Sequence, residues 1–91
     1  MRIEFDPRKN ARNVAERDLP FDAAAAFDFD TALIQVDDRK AYAEVRYVAV
    51  GFLGRRLHVL CFAAITGGIR VISFRKANAR ERKAYEQKAT D

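Results

Sequence analysis

The stretch Ile69–Glu86, IRVISFRKANARERKAYE, decides the reading of the chain. Its first half, IRVISF, reads as a buried β-strand, and it passes without glycine or proline into the strongly basic RKANARERK. Within the second half, Asn78 and Glu81 stand three residues apart, the spacing of a capping box that opens a helix. Ala77, Ala84 and Tyr85 are then expected to face the protein, with Arg80, Lys83 and Lys88 in water. A rigid strand would therefore deliver Arg75 and Lys76 to the rim of a sheet, and the helix would bring Arg80 beside them.

Charge agrees with this polarity. Residues 70–91 carry seven basic and three acidic side chains, whereas residues 1–69 carry ten of each. The whole net charge of +4 thus belongs to the C-terminal stretch, as a polyanion-binding surface requires. Charge alone also fits a helix with a solvated basic face.

Working outward, TALIQV, EVRYVAVGF and RLHVLCFAAI precede IRVISF and are joined to one another by short turn-like segments. Four strands so connected form an antiparallel meander, because parallel neighbours need a crossover of a dozen or more residues. The two central strands are apolar on both faces, so helices must cover each side. Near the N-terminus, RIEF reads as an edge strand, and Asp6-Pro7 starts a helix in DPRKNARNVAERDL. Ala11, Val14, Ala15 and Leu19 share one helical face and should pack inward. Arg8, Lys9, Arg12, Asn13 and Arg17 lie outside it. Pro20 should stop this helix, and FDAAAAFDF should supply a second, short one. The predicted order is β-α-α-β-β-β-β-α, an α+β fold with an antiparallel sheet, occupying residues 1–91 as one domain. No apolar run is long enough to span a membrane and no signal-peptide core opens the chain, so a soluble cytoplasmic protein is expected. Cys61, the one cysteine, is expected in the core.

Several chemistries find little support. His58 is the single histidine and has no cysteine or carboxylate at metal-ligand spacing, so no metal or other cofactor is expected; the ring reads more readily as a sheet residue than as a general base. No serine stands in a nucleophile elbow, and no glycine-rich loop could cradle a nucleotide. Basic and aromatic residues remain: Arg75, Lys76, Arg80, Arg46 and Tyr47. Guanidinium groups can grip phosphate oxygens, and RNA carries its own nucleophile in the 2′-hydroxyl. Cleavage of RNA then needs positioning, charge stabilisation and proton transfer, without a metal.

These residues also bear a family resemblance. IEFDPRKNARNVAERDLPFDAAAAFDF resembles the opening of BrnT-type toxins, EVRYVAVGF their Glu-x-Arg-Tyr strand, and IRVISFRKANARERKAYE their Arg-x-Ile-Ser-x-Arg-Lys-Ala ending. The resemblance implies a RelE-like ribonuclease fold and RNA cleavage that stops translation. It also implies neutralisation by a BrnA-type ribbon-helix-helix antitoxin, with DNA contacted only through the toxin–antitoxin complex, and a toxin homodimer bridged by antitoxin. Lys9 and Asn13 match the first-helix motif, Arg46 and Tyr47 the central strand, and Ser73, Arg75, Lys76, Glu81, Arg82 and Tyr85 the ending. Catalytic roles are accordingly expected for Arg46, Arg75, Lys76 and, as a proton-transfer partner, Lys9. RNA contacts are expected from Arg80, Tyr47, Tyr85, Arg82 and Asn13. The chain departs from the pattern after the first helix, where many relatives have Lys-His-Gly and this sequence has Glu16, Arg17 and Asp18. The competing reading is a nucleic-acid-binding module without catalysis, in which the same arginines only neutralise phosphates.

Overall fold

The structure, a computed structural model, describes residues 1–90. Strand β1 (Arg2–Phe5) leads to helix α1 (Pro7–Arg17) and a 3₁₀ helix (Phe21–Ala26). Strands β2 (Leu33–Val36), β3 (Tyr47–Leu53), β4 (Arg56–Ile65) and β5 (Gly68–Lys76) follow, and helix α2 (Ala79–Thr90) ends the described chain. The α+β order matches the sequence reading, including the meander from β2 to β5. The sheet itself is mixed. Its order is β1-β5-β4-β3-β2, and β1 pairs parallel with β5 from Arg2↔Gly68 to Phe5↔Val71. The short-loop rule constrains only neighbouring strands in sequence; between β1 and β5 lie two helices and three strands, more than enough for a parallel crossover. Gly68 permits the pairing, since a Cβ there would stand 1.8 Å from the Arg2 carbonyl oxygen.

Each face of the sheet has its own cover. On one face, Phe21, Ala24 and Phe27 of the 3₁₀ segment pack over Ala49, Leu60, Phe62, Ile69, Val71 and Phe74. On the other, Ala77 and Tyr85 pack over Leu57 and Val59, and the Tyr85 hydroxyl donates to the Thr31 carbonyl at 2.9 Å. Leu57 to Ala63 of β4 are consequently buried without a break, as its apolar sequence requires. The segment after Pro20 closes i→i+3 hydrogen bonds, Ala23 N to Pro20 O and Phe27 N to Ala24 O, both 3.1 Å, which makes it a 3₁₀ helix.

A β-bulge sets the direction of side chains in β5. Cys61 pairs with Ser73 and Phe62 with Val71, so Ile72 is an extra residue. Ile69 and Val71 point into the first core. Strict alternation would send Ser73 and Arg75 after them, with a guanidinium in the apolar layer. The extra residue reverses the phase. Phe74, 1% exposed, enters the core, and Arg75 emerges on the opposite face in line with Val59.

Helix α1 contradicts the amphipathic reading. None of its residues is buried, and Ala11, Val14 and Ala15 are exposed. Leu19, beyond the helix, does pack against the core. Two asparagines dock the helix instead. Asn13 Nδ2 donates to the carbonyls of Leu19 at 2.8 Å and Phe74 at 2.9 Å, and Asn10 Oδ1 accepts from Phe21 N at 2.8 Å. Because β1 pairs β5 only as far as Val71, the β5 edge beyond it has free backbone groups, and Asn13 satisfies one of them. The helix ends at Asp18 in the left-handed conformation (φ 53°), before Pro20 is reached. Replacing Asn13 with leucine should lower unfolding stability by about 1–3 kcal/mol, because two half-buried carbonyls lose their donor. An inward apolar face would make the same change neutral, and urea denaturation separates the two outcomes.

Candidate functional site

The outer end of β5 and helix α1 flank two adjoining clefts. One, of about 490 Å³, is lined by Arg17, Asp18, Leu19, His58, Arg75 and Lys76. The other, of about 340 Å³, brings Lys9, Arg12 and Arg17 of α1 beside Ser73 and Arg75 of β5. Lys9, Arg12, Arg17 and Lys76 form no ion pair with another described residue, so their charge is available to an incoming anion. Ser73 is exposed between them.

Arg75 is held in place. Its guanidinium donates to both carboxylate oxygens of Glu81, each at 2.8 Å. Glu81 also accepts from Asn78 N at 2.9 Å while Glu81 N donates to Asn78 Oδ1 at 2.8 Å, the reciprocal capping box read from the sequence. One carboxylate therefore ties the strand rim to the helix start. The arginine hydrogen bond pulls the Glu81 carboxyl below its ordinary value, and the same bond makes Arg75 harder to deprotonate.

The remaining sequence-predicted residues scatter. Lys9 and Asn13 reach the cleft, although Asn13 is committed to two backbone carbonyls. Arg75 pairs with Val59, which pairs with Val50; Arg46 lies four residues from Val50 and so roughly 13 Å along the strand direction, beyond the reach of one phosphate. Arg46 stacks over the Tyr42 ring at 4.1 Å, with Nε buried and unpartnered. Its strand position is also outside the ladder, which begins at Tyr47. Tyr47 stacks on Phe62 with centroids 5.5 Å apart. Tyr85 is buried edge-on against Phe52, on the α2 side of the sheet away from both clefts. Arg82 donates to the Ala77 carbonyl at 3.3 Å, and Arg80 is exposed near the helix start, lining neither cleft.

Arg12, Arg17 and His58 join the cleft without having been singled out for it. A signal existed: Lys9, Arg12, Asn13 and Glu16 follow the i, i+3, i+4, i+7 spacing of one helical face. Among the described residues, no group of three or more His, Cys, Asp and Glu side chains could hold a metal ion, and no helix is long and apolar enough to cross a membrane.

Fold and cleft together define a small α+β protein that presents one clamped and several unpaired cations around a sheet rim, an arrangement suited to a phosphodiester chain. The sequence model of one family, the ribonuclease toxin BrnT of type II toxin–antitoxin systems, matches residues 5–81. The chain belongs to this BrnT family of ribonuclease toxins. Among curated proteins, no match is found.

A second acidic anchor lies in the loop between β2 and β3. Asp37, with its side chain 1% exposed, accepts from Arg39 Nε and Nη2, both at 2.7 Å, and from Tyr42. The Arg39 hydrogen bonds, opposed by burial, bring the Asp37 carboxyl down from 3.8 to about 2. For Asp37 and Glu81 alike the folded pKa lies below the unfolded one. The stability they add is complete above the ordinary values of 3.8 and 4.5, and it is lost as pH falls through the depressed folded values. Urea midpoints measured from pH 5 down to pH 2 should therefore fall for the intact protein, with a shallower fall in an Asp37→Asn, Glu81→Gln variant.

Proposed function

We propose that this protein is an endoribonuclease toxin that cuts RNA by attack of the substrate's own 2′-hydroxyl on the adjacent phosphate, without a metal ion. The observation carrying this reading is the convergence of Lys9, Arg12, Arg17, Arg75 and Lys76 around the exposed end of β5, in a chain of a ribonuclease toxin family. Arg75 and Lys76 hold the scissile phosphate and stabilise the charge that builds on its oxygens. Lys9, Arg12 and Arg17 draw in the backbone and bind neighbouring phosphates. Arg46 and Tyr47 serve a nucleotide further along the sheet, at the distance set by their place at the start of β3. Arg80 adds to the attracting field.

Cleavage of translated RNA would halt protein synthesis. Control comes from a BrnA-type antitoxin that covers the basic surface, with a ribbon-helix-helix part that binds DNA and bridges two toxin copies. The cytoplasm is where these components meet.

One observation favours the second reading, an RNA-binding module without catalysis: the Arg75 guanidinium is already occupied by Glu81. Phosphate must share or displace that carboxylate. Mutation separates the readings. Induced in bacteria without antitoxin, the intact protein should arrest translation within minutes and leave cut RNA, and Arg75→Ala, shown to be folded by its thermal melt, should lose cleavage by about 10²-fold or more. Purified protein should cut equally well in EDTA. Folded, RNA-binding protein that leaves RNA whole would establish the binding reading instead.

A further inference from the structure

The single histidine occupies a specific place in the cleft. His58 is 4% exposed, lines the larger cleft with Arg75 and Lys76, and stands directly opposite Lys76 across the β4–β5 ladder. Residues opposite one another in an antiparallel pair point to the same face, with Cβ atoms about 4.5–5.5 Å apart. On its other side His58 pairs with Gly51, over which Phe27 and Ala32 pack. Phe74 packs against the ring with centroids 5.5 Å apart and fixes its plane.

The hydrogen bonds also fix the tautomer of the neutral ring. His58 Nδ1 lies 2.8 Å from the Arg56 carbonyl oxygen. A carbonyl only accepts, so Nδ1 carries the proton and the Nε2 lone pair is left free. Nε2 makes no hydrogen bond to another described residue. The ring is nearly enclosed, and His58 lines the cleft beside Lys76. The ring is thus oriented, and Lys76 stands beside it on the same face of the sheet.

We propose that His58 is the general base of RNA cleavage in this protein, an inference that rests on the ribonuclease reading above. Nε2 takes the proton of the 2′-hydroxyl as O2′ bonds to phosphorus. The bond from phosphorus to the 5′ oxygen breaks, and that oxygen leaves with a proton from the Lys76 ammonium. The products are a 2′,3′-cyclic phosphate and a 5′-hydroxyl end. Proton transfer from the imidazolium to the Lys76 amine through water restores both groups. Arg75 holds the non-bridging oxygens throughout.

The test uses purified full-length protein and a short single-stranded RNA labelled at both ends, with cleavage rate and RNA affinity measured separately. His58→Gln and His58→Ala should each lose about 10²–10⁴-fold in rate while RNA affinity stays within about twofold. Added imidazole should restore His58→Ala at least about tenfold by entering the space the ring leaves. Where glutamine prevents folding, His58→Asn replaces it, since its amide N–H can keep the bond to Arg56. Intact protein that cuts RNA while these folded variants cut as fast, or fail to respond to imidazole, overturns the role of His58 and leaves the ribonuclease reading standing. Intact protein that cuts no RNA overturns both.

Discussion

The extra residue in β5 is the constraint on which the rest of the structure depends. Val71 and Phe74 must both reach the same apolar layer, yet two residues separate them, and a regular strand cannot bury both. Ile72 absorbs the mismatch as a bulge against Phe62. The core gains an aromatic ring that meets Phe27 edge-on with centroids 6.2 Å apart, and the next residue becomes an arginine on the open face. Core packing and site placement thus come from a single displacement of phase. Bulges commonly re-aim side chains at functional sites, and here the re-aimed residue is the one that Glu81 then clamps.

Polar contacts finish what the bulge begins. The β5 edge passes beyond the end of β1, and the Asn13 amide completes it while fastening α1 alongside. Helix α1 buries no side chain, so hydrogen bonds hold it, and its basic residues are carried over the rim instead of being spent on packing. Glu81 works similarly at the other end. A carboxylate that starts α2 also fixes Arg75, so hydrogen bonds tie the helix start and the strand end to the guanidinium. Such coupling gives a site the rigidity that phosphate recognition needs.

Much of this was legible in residue order. The meander followed from β-branched runs separated by short turns, and α2 from Asn78 and Glu81 at capping-box spacing. The parallel pairing of β1 was hidden, because a rule about short connections says nothing of strands at opposite ends of the chain. Helix α1 misled for a different reason: Ala11, Val14 and Ala15 are spaced like a core stripe, but small side chains bury little area, and two asparagines supply stronger anchors at this edge. The gathering of Lys9, Arg12, Arg17, Arg75 and Lys76 could not be read from charge counts, since three of the five lie in the N-terminal part of the chain where acids and bases balance. His58 was weighed as a general base and read as a sheet residue, because its neighbours Arg56 O and Lys76 are brought around it only by the paired strands.

The most direct test of this account is the pairing of β4 with β5 in solution, read from cross-strand NMR contacts between backbone protons. The account predicts contacts between Cys61 and Ser73 and between Phe62 and Val71, with Ile72 left unpaired. Continuous pairing of Phe62 with Ile72 and Ala63 with Val71 would contradict it, because Ile72 would then enter the core in place of Val71 and the bulge that re-aims Arg75 would not exist.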